Sequence, residues 1–228
     1  MKVLELKNVH KIYSSTHVEV HAVNGVDLEF ESGEFAAIVG PSGSGKTTLL
    51  NMIGGLDKPS QGQILIDGTD LSTLKPSKVI DFRMRHIGFV FQSYNLIPVL
   101  TASENIEFIM NLQKWPKEKR NNRTMELLKS VGLADRIKSR PAELSGGQQQ
   151  RIAVARALAS KPKFILADEP TANLDSKSTQ SLLEIMEKLN RDENITFIFS
   201  THDARVMQKA RRVITLEDGK VVSDERRA

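Results

Sequence analysis

The chain has 228 residues, of which 39% belong to the hydrophobic set AVILMFWYC and 5% are aromatic. This content is enough to bury the core of one domain, so the composition excludes a disordered chain and a collagen-like repeat. The chain contains no cysteine, which excludes disulfides, cysteine-based zinc sites and thiol chemistry, and its 32 basic and 28 acidic side chains leave a formal charge of only +4.

The basic residues are concentrated in three stretches, at residues 117–123, 211–212 and 226–227. Charge runs of this kind usually lie on solvated faces and tails, so we expect these stretches to be exposed and we expect no nucleic-acid partner. No apolar run approaches the roughly 18 residues that a membrane span needs. Glu5 and Lys7 interrupt the apolar alternation at the N-terminus, which is unlike a signal peptide. We therefore expect a soluble cytoplasmic protein.

The first third of the chain is predicted to consist mainly of strands. Residues 26–30 alternate apolar and acidic side chains, which indicates a sheet with one wet face. The continuous apolar run Phe35–Val39 indicates a parallel strand that is buried on both faces. The other predicted elements of this region are strands at residues 3–6, 18–21 and 63–66 and a helix over residues 47–53.

The pattern becomes helical from about residue 93 to residue 160, where Leu127, Leu128 and Val131 recur at helical spacing. We expect no strand between residues 92 and 163. The order of elements predicts an α/β core with a helical insertion. The remaining predicted elements are buried strands at residues 164–167 and 195–199, an amphipathic helix over residues 182–189, and a hairpin around Asp218 and Gly219.

A glycine-rich loop follows the predicted strand Phe35–Val39 and opens the next helix. It fits the pattern G-x-x-x-x-G-K-[ST], whose glycines let successive backbone N–H groups point at phosphates. The positive end of the helix adds to this site. Lys46 should reach the β- and γ-phosphates, and the Thr47 hydroxyl should bind Mg²⁺, so the loop predicts nucleoside triphosphate binding. Its members are Gly40, Pro41, Ser42, Gly43, Ser44, Gly45, Lys46 and Thr47.

Two acidic residues, Asp168 and Glu169, follow the buried strand predicted at residues 164–167. Ligands of parallel α/β sheets lie beyond the carboxyl ends of the strands, so we expect this pair at the same edge as the glycine-rich loop. Asp168 is placed to hold Mg²⁺, and Glu169 is the candidate base or orienting group for an attacking water. The two carboxylates together favour hydrolysis over simple binding.

The segment Leu144-Ser-Gly-Gly-Gln148 precedes a second helical run, from residue 149 to about residue 160. Ser145 is a good N-cap, and Gly146 and Gly147 would let a ligand approach the free N–H groups of the helix. By itself, this pattern favours a capped helix after a glycine turn over an anion site.

The order of these motifs, with LSGGQ between the phosphate loop and the Asp-Glu strand, resembles that of the ATP-binding-cassette (ABC) ATPases over essentially the whole chain. The resemblance implies a P-loop NTPase (RecA-like) α/β core with a mixed sheet, an N-terminal antiparallel β subdomain and an inserted α-helical subdomain. A single ABC ATPase domain would span residues 1–228, with its core at residues 1–92 and 161–228 and its helical subdomain at residues 93–160. ATP and Mg²⁺ would be its cofactors.

Five further residues take roles that the resemblance implies. Gln92 would touch Mg²⁺ and the attacking water, and would link the core to the helical subdomain. His202 resembles the switch histidine that contacts the γ-phosphate. Tyr13 would stack on adenine, Thr48 would bond the α-phosphate, and Asp175 lies in a loop that resembles the one crossing to a partner subunit. With Lys46 and Glu169, Gln92 and His202 complete the expected catalytic set.

The resemblance also implies that a second copy of the chain is a partner. In the family, the phosphate loop and the LSGGQ segment of one chain do not serve the same nucleotide. Two chains pack head to tail, so that Ser145 and Gly147 of one would contact the ATP held by the other. This is a two-fold interface with ATP inside it.

Residues 54–57, 88–92, 95–98 and 167–175 look most like the lipoprotein-release and macrolide-export subfamily, whose ATPases resemble LolD and MacB, although Ala172 stands where that subfamily commonly has Gly. The resemblance implies separate transmembrane permease subunits that hold the chain on the cytoplasmic face of the inner (plasma) membrane. The apolar residues at 96–98 suit either a contact with such a subunit or a loop tucked into its own core.

Two other kinds of ABC ATPase remain alternatives. One is a soluble ATPase of the iron–sulfur-assembly or DNA-repair type, and the other is a cell-division-type ATPase that signals rather than transports. A P-loop kinase is disfavoured by LSGGQ and His202.

Overall fold

The computed structural model of the protein describes residues 1–14 and 19–227. Three short 3₁₀ turns accompany its strands and helices, at Leu71–Thr73, Ala134–Arg136 and Pro141–Glu143. The strands are β1 (Lys2–Ser14), β2 (Glu19–Glu31), β3 (Phe35–Val39), β4 (Gln61–Ile66), β5 (Thr69–Asp70), β6 (Ile87–Val90), β7 (Phe164–Asp168), β8 (Thr196–Ser200), β9 (Arg212–Glu217) and β10 (Lys220–Arg226). The helices are α1 (Lys46–Ile53), α2 (Pro76–His86), α3 (Ala102–Leu112), α4 (Lys117–Ser130), α5 (Gly146–Leu158), α6 (Ser176–Glu193) and α7 (Ala204–Lys209).

A six-stranded sheet with the order β10-β9-β3-β8-β7-β6 forms the centre of the molecule. All its pairs are parallel except β9 with β10, which form an antiparallel hairpin. The residues of β3 are all buried, as its continuous apolar run predicts. Because β3, β7 and β8 run in the same direction, the loops that follow them leave from one edge of the sheet.

A second sheet, with the order β2-β1-β4-β5, is antiparallel throughout. In β2, Val26, Leu28 and Phe30 are buried while the acidic residues between them are exposed, which confirms the predicted alternation. The predicted strands at residues 18–21 and 26–30 are parts of this one strand, because the intervening residues continue the pairing with β1. Val18 itself lies outside the described residues.

The central sheet separates two apolar cores. Successive side chains of a strand point to opposite faces, so Phe197 of β8 belongs to one core and its neighbour Ile198 to the other. The first core is shared with α3, α4, α5 and α6. The second contains α1 and the antiparallel sheet. The chain is therefore built in three layers, with the sheet edge that carries the motif loops open between them.

Helices α3, α4 and α5 occupy the middle of the chain. Residues 92–163 are all described and none of them lies in a strand, which confirms the absence of strands predicted there. Ile106 and Leu127 from these helices are fully buried in the same core as Phe197. Across residues 1–14 and 19–227, no helix combines the length and apolar character needed to cross a membrane.

Two of the basic stretches are not solvated along their whole length, so that part of the prediction was wrong. Arg123 is only 5% exposed, and its guanidinium donates to a carboxylate oxygen of Glu193 over 2.6 Å. Arg212 is equally buried and pairs with Glu34 at 2.8 Å and with Asp224 at 2.7 Å. A buried arginine is stable when it is paired with a carboxylate. The partners Glu193 and Glu34 are far from these arginines in the sequence, so the local pattern did not predict the pairs.

Candidate active site

The glycine-rich loop after β3 borders a cavity of about 970 Å³ at the edge where the parallel strands end. Ser44 is the member of the loop that does not line the cavity. It is buried, and its Oγ has no hydrogen-bond partner among the described residues. The other predicted residues in the lining are Gly40, Pro41, Ser42, Gly43, Gly45, Lys46, Thr47, Thr48, Glu169 and His202.

Two glycines of this loop are required by close backbone contacts. Gly40 has φ +148°, and a Cβ there would lie 2.0 Å from the carbonyl oxygen of Leu216. Gly45 has φ +99°, and its Cβ would lie 2.1 Å from the carbonyl oxygen of Ala22. Any side chain at these positions would push the loop away from β9 and β2, so the curled loop depends on both glycines.

The N-terminus of α1 has donors that are free to bind an anion. Leu49 N donates the first hydrogen bond of the helix, to Gly45 O over 2.8 Å, and no side chain among residues 1–14 and 19–227 caps this end. The N–H groups of Lys46, Thr47 and Thr48 precede that bond and carry the positive end of the helix dipole. The Lys46 ammonium donates to Gly40 O and Pro41 O, both at 2.9 Å. The loop therefore presents backbone donors and one cation to the cavity.

A carboxylate and a hydroxyl meet beside the loop. Thr47 Oγ1 lies 3.4 Å from Asp168 Oδ2, as expected for the ends of neighbouring elements. The other carboxylate oxygen, Asp168 Oδ1, is buried and has no hydrogen-bond partner in the described part of the chain. Burial raises the pKa of Asp168, because it disfavours the charged form. A buried oxygen without a partner next to a hydroxyl is chemically suited to hold a hard cation.

Glu169 and His202 are joined across the ends of β7 and β8. Glu169 Oε1 lies 2.7 Å from His202 Nδ1, and Thr201 Oγ1 donates to Glu169 Oε2 over 3.2 Å. Glu169 has φ +44°, a conformation that an L-residue rarely adopts, and its N–H donates to Ser200 O. The carboxylate is mostly buried while the imidazole is exposed. The strand ends thus direct a carboxylate and an imidazole toward the cavity.

Gln92 lies just after β6 and outside the lining of the cavity. Its backbone oxygen accepts a hydrogen bond from Asn173 Nδ2 over 3.1 Å, which ties the loop to the segment after Glu169. Tyr94 and Asn95 continue the loop with positive φ angles, and the Arg156 guanidinium of α5 donates to both of their carbonyl oxygens. The loop that contains Gln92 is therefore fixed to the helical segment through Tyr94 and Asn95.

The residues at 96–98 are tied to the chain's own core. Leu96 packs against the first core. Asn105 is fully buried and both accepts from Ile97 N over 2.8 Å and donates to Ile97 O over 3.2 Å. Of the two readings of this stretch, the tucked loop fits these contacts better.

Ser145 and Gly147 begin α5 and lie away from the cavity lining. Ser145 Oγ accepts from Gln148 N and its N–H donates to Gln148 Oε1, which is a complete capping box. A Cβ on Gly146 would lie 2.6 Å from the Tyr94 hydroxyl, and one on Gly147 would lie 2.9 Å from Ser178 Oγ. These glycines therefore also serve packing within the chain, a role that the sequence did not predict.

Asp175 caps the following helix. Its carboxylate accepts from Ser178 N over 2.9 Å and from Ser178 Oγ over 2.7 Å. These hydrogen bonds lower the pKa of Asp175. The residue is exposed and, like Ser145, does not border the cavity within this chain.

Tyr13 lies at the end of β1, next to the cavity. Its register partner on β2 is Val20, which lines the cavity. The Tyr13 hydroxyl donates to Asp57 Oδ2 over 2.8 Å. Partial burial, together with this hydrogen bond, raises the pKa of Tyr13. The residue as a whole is 44% exposed, which leaves surface for a stacked base.

The sequence motifs did not predict several of the residues that line the cavity. The Asp218–Gly219 turn was predicted as a hairpin, but its place beside the phosphate loop follows from the pairing of β9 with β3, which no local pattern reveals. Ser200 also borders the cavity because β8 ends next to β7. The additional lining residues are Val20, His21, Ala22, Ser200, Asp218 and Gly219.

The sequence profile of the family described as ABC transporter matches residues 23–172 of the chain. An uncharacterized ABC transporter ATP-binding protein of Thermotoga maritima is 48% identical over 99% of this chain and 96% of that protein. The macrolide export ATP-binding/permease protein MacB of Hyphomonas neptunium is 46% identical over 97% of this chain, which corresponds to 34% of that longer protein.

A solved structure with the same architecture is an ATP-binding cassette of Methanocaldococcus jannaschii, captured as a dimer in a post-hydrolysis state with ADP and Pi. It superposes with a TM-score of 0.88 at 43% identity and covers 98% of both chains. Both sets of comparisons concern the part of the sequence that carries the loop, the LSGGQ segment and the two carboxylates.

Proposed function

The chain belongs to the ABC transporter family, as an ATP-binding cassette that hydrolyses ATP, and on this basis we propose that it is the ATPase subunit of a membrane export complex. In this proposal, two copies close head to tail around two ATP molecules and reopen after hydrolysis. The closing motion acts on separate transmembrane permease subunits of the lipoprotein-release, macrolide or peptide export type. The chain is then held at the cytoplasmic face of the membrane by those subunits.

The observation that carries the dimer proposal is the separation of the two helix ends within one chain. The cavity is lined by the phosphate loop, Glu169 and His202, whereas Ser145, Gly147 and Asp175 are not among the described residues that border it. If these three residues contact nucleotide, that nucleotide is held by another chain. The dimeric state of the related archaeal cassette agrees with such a pairing.

The reaction proposed for this site is transfer of the γ-phosphoryl group of ATP to water. Lys46 exchanges its two carbonyl partners for the β- and γ-phosphates, and the N–H groups of α1 hold the phosphate oxygens. Glu169 orients the attacking water and accepts its proton as the bond to the β-phosphate oxygen breaks. His202, held by Glu169, contacts the γ-phosphate. Hydrolysis removes the γ-phosphate from the nucleotide, which weakens its attraction to the helix end of the second copy and favours reopening.

The donor set beside the loop fits Mg²⁺. Thr47 Oγ1 and Asp168 are oxygen ligands, and Gln92 is proposed to join them when the loop closes. Such an ion usually keeps water molecules and substrate oxygens in its shell, so few protein ligands are needed. Bound there, it would neutralise the charge of the β- and γ-phosphates.

The surface proposed for the permease lies on α3. Phe108 and Leu112 are four residues apart on one face of this helix and remain 41% and 53% exposed. Val99, in the preceding loop, is also exposed. Since the tucked residues at 96–98 are used internally, this exposed apolar face is the better docking candidate.

The test of the proposed function uses Glu169→Gln, which keeps the shape of the side chain but removes the base. We expect this variant to bind ATP, to turn over much more slowly than the wild-type chain, and to elute as a dimer in gel filtration only when ATP is present. A variant that stays monomeric with saturating ATP at high protein concentration would contradict the proposal.

The same variant tests the membrane partner. Affinity capture from detergent-solubilised membranes with Glu169→Gln and ATP should retain a multi-span membrane protein. Adding Phe108→Glu should abolish capture, while adding Val222→Glu, at an apolar position on β10 that is more exposed than Phe108, should not. Capture of no membrane protein would instead favour the soluble type of ABC ATPase.

A further inference from the structure

The segment after α1 contributes a carboxylate that holds the proposed adenine platform. Asp57 is anchored to the end of α1, because its N–H donates to Asn51 O over 3.2 Å. Its Oδ2 accepts the Tyr13 hydroxyl at 2.8 Å, and its Oδ1 accepts the Lys11 ammonium at 2.6 Å. The Asp57 carboxylate thus connects Tyr13 to the C-terminal end of α1. The N-terminal end of the same helix carries the phosphate-binding donors.

The Lys11 side chain adds to this arrangement. It is 13% exposed, and its ammonium also donates to Lys58 O over 2.9 Å. The ammonium lies 4.9 Å from the centroid of the Tyr13 ring, which is a cation–π distance. The ring is therefore held at its hydroxyl and covered by a cation on one face, so a base that stacks on Tyr13 takes the opposite face.

We infer that Asp57 is a positioning residue for ATP binding, which fixes the Tyr13 ring at a set distance from the phosphate loop. The inference rests on the proposed function, because it needs ATP to bind with its base on Tyr13. A tyrosine at the end of a strand has several accessible rotamers, and binding to only one of them lowers the apparent affinity in proportion to its population. The two hydrogen bonds of Asp57 select that rotamer before the nucleotide arrives.

The experiment compares two ligands that share the phosphate loop. Binding of ATP and of inorganic tripolyphosphate is measured by calorimetry for the wild-type chain, Asp57→Ala, Tyr13→Phe and the double variant. Each single variant should weaken ATP binding about 3- to 10-fold, because a freed ring is correctly placed only part of the time. The double variant should lose no more than Asp57→Ala alone, since that substitution already removes the hydrogen bond that Tyr13→Phe breaks. Tripolyphosphate binding should be unchanged in all three.

A matched control variant and the possible results distinguish a failure of the proposed function from a failure of the role inferred for Asp57. Asp81→Ala removes an exposed carboxylate that pairs with Arg85 on α2, and it should change neither affinity. A wild-type chain that does not bind ATP would overturn the proposed function itself. Normal ATP binding that is unaffected by Tyr13→Phe would overturn only the role of Asp57. A loss of tripolyphosphate binding in Asp57→Ala would overturn it too, because the residue would then act on the phosphate loop.

Discussion

Two helix ends in this molecule share the same ingredients, a serine- and glycine-rich turn and a free helix N-terminus, yet they differ in how their donors are used. At α5, Ser145 and Gln148 form a reciprocal capping box, so the donors are partly satisfied within the chain. At α1, no side-chain cap is found in the described part of the chain, and Gly45 enters the helix with left-handed φ. The first end is stable by itself, whereas the second is left open for an anion.

The same contrast extends along the sheet edge. Asp175 caps α6 and Asp203 caps α7, each with its own carboxylate. The N-termini of α5, α6 and α7 are therefore capped by side chains of the chain itself, whereas the N-terminus of α1, which faces the cavity, is not. Among the residues described, helices α2 and α4 also begin without a side-chain cap, so a missing cap does not identify a site by itself. At α1 the missing cap coincides with the cavity beside the glycine-rich loop, where an anion would satisfy the open N–H groups.

The largest expected effect comes from replacing one glycine at each of the two helix ends by alanine. Gly45→Ala places a Cβ 2.1 Å from a backbone oxygen at a left-handed φ, so we expect the loop to be displaced and ATP binding to be lost. Gly147→Ala meets no backbone atom but the Ser178 side chain, 2.9 Å from its Oγ and 3.0 Å from its Cβ, so the hydroxyl must rotate and the two helices must separate slightly. Its cost should be about 1 kcal/mol of folding free energy. Calorimetric ATP titration and thermal unfolding without nucleotide measure the two effects.

Lys46→Ala should have the next largest effect, on affinity rather than on stability. It removes the cation of the cavity while leaving the N–H groups of α1 in place. Loss of charge-assisted hydrogen bonds to two phosphates should weaken ATP binding by roughly 100-fold or more. Lys78→Ala, an exposed lysine on α2, serves as the control. Equal ATP affinity for both variants would remove Lys46 from the site.

Ser145→Ala should affect stability rather than affinity, and its effect should be measurable before any nucleotide is added. Loss of the N-cap of α5 should lower the free energy of unfolding by about 1 kcal/mol, as for similar caps. Urea unfolding of the monomer measures this cost. An unchanged unfolding midpoint would mean that the capping box contributes nothing and that the contrast between the two helix ends is wrong.

The smallest expected effect concerns pH. Hydrogen bonds from Arg205 lower the pKa of Asp203 from 3.8 to about 2. Because the folded-state pKa is depressed, the cap contributes stability above about pH 4 and loses it as the pH falls toward 2. The free energy of unfolding of Asp203→Asn should therefore lie below that of the wild-type chain by a constant amount near neutral pH. This difference should shrink between pH 4 and pH 2.

The sequence predicted the elements whose residues carry a local signal. The run Phe35–Val39 and the Asp218–Gly219 turn are found where periodicity and turn chemistry place them. Helix α2 was missed because it has no buried residue and hence no apolar period, although the proline at its start was a usable signal. Helix α3 lies inside the stretch 93–160 that was predicted as helical, but its bounds were not predicted, despite the capping box of Thr101 and Glu104.

The site was predictable only to the extent that motifs are local. The phosphate loop and the Asp168–Glu169 pair could be identified from adjacent residues. The contact between Tyr13 and Asp57 could not, because its partners are 44 positions apart and belong to different elements. The same holds for the burial of Arg123 against Glu193, 70 positions away.

The central claim is that the two helix ends meet only between two chains. Since the chain has no cysteine of its own, single thiols can be introduced at Ser42, in the loop, and at Ser145, both in the Glu169→Gln background. With ATP and a short bismaleimide, a mixture of the Ser42→Cys and Ser145→Cys chains should form a crosslinked dimer, while neither chain alone should. Efficient crosslinking of Ser145→Cys with itself would contradict the head-to-tail arrangement. So would crosslinking of the two thiols within one monomer of a chain that carries both substitutions.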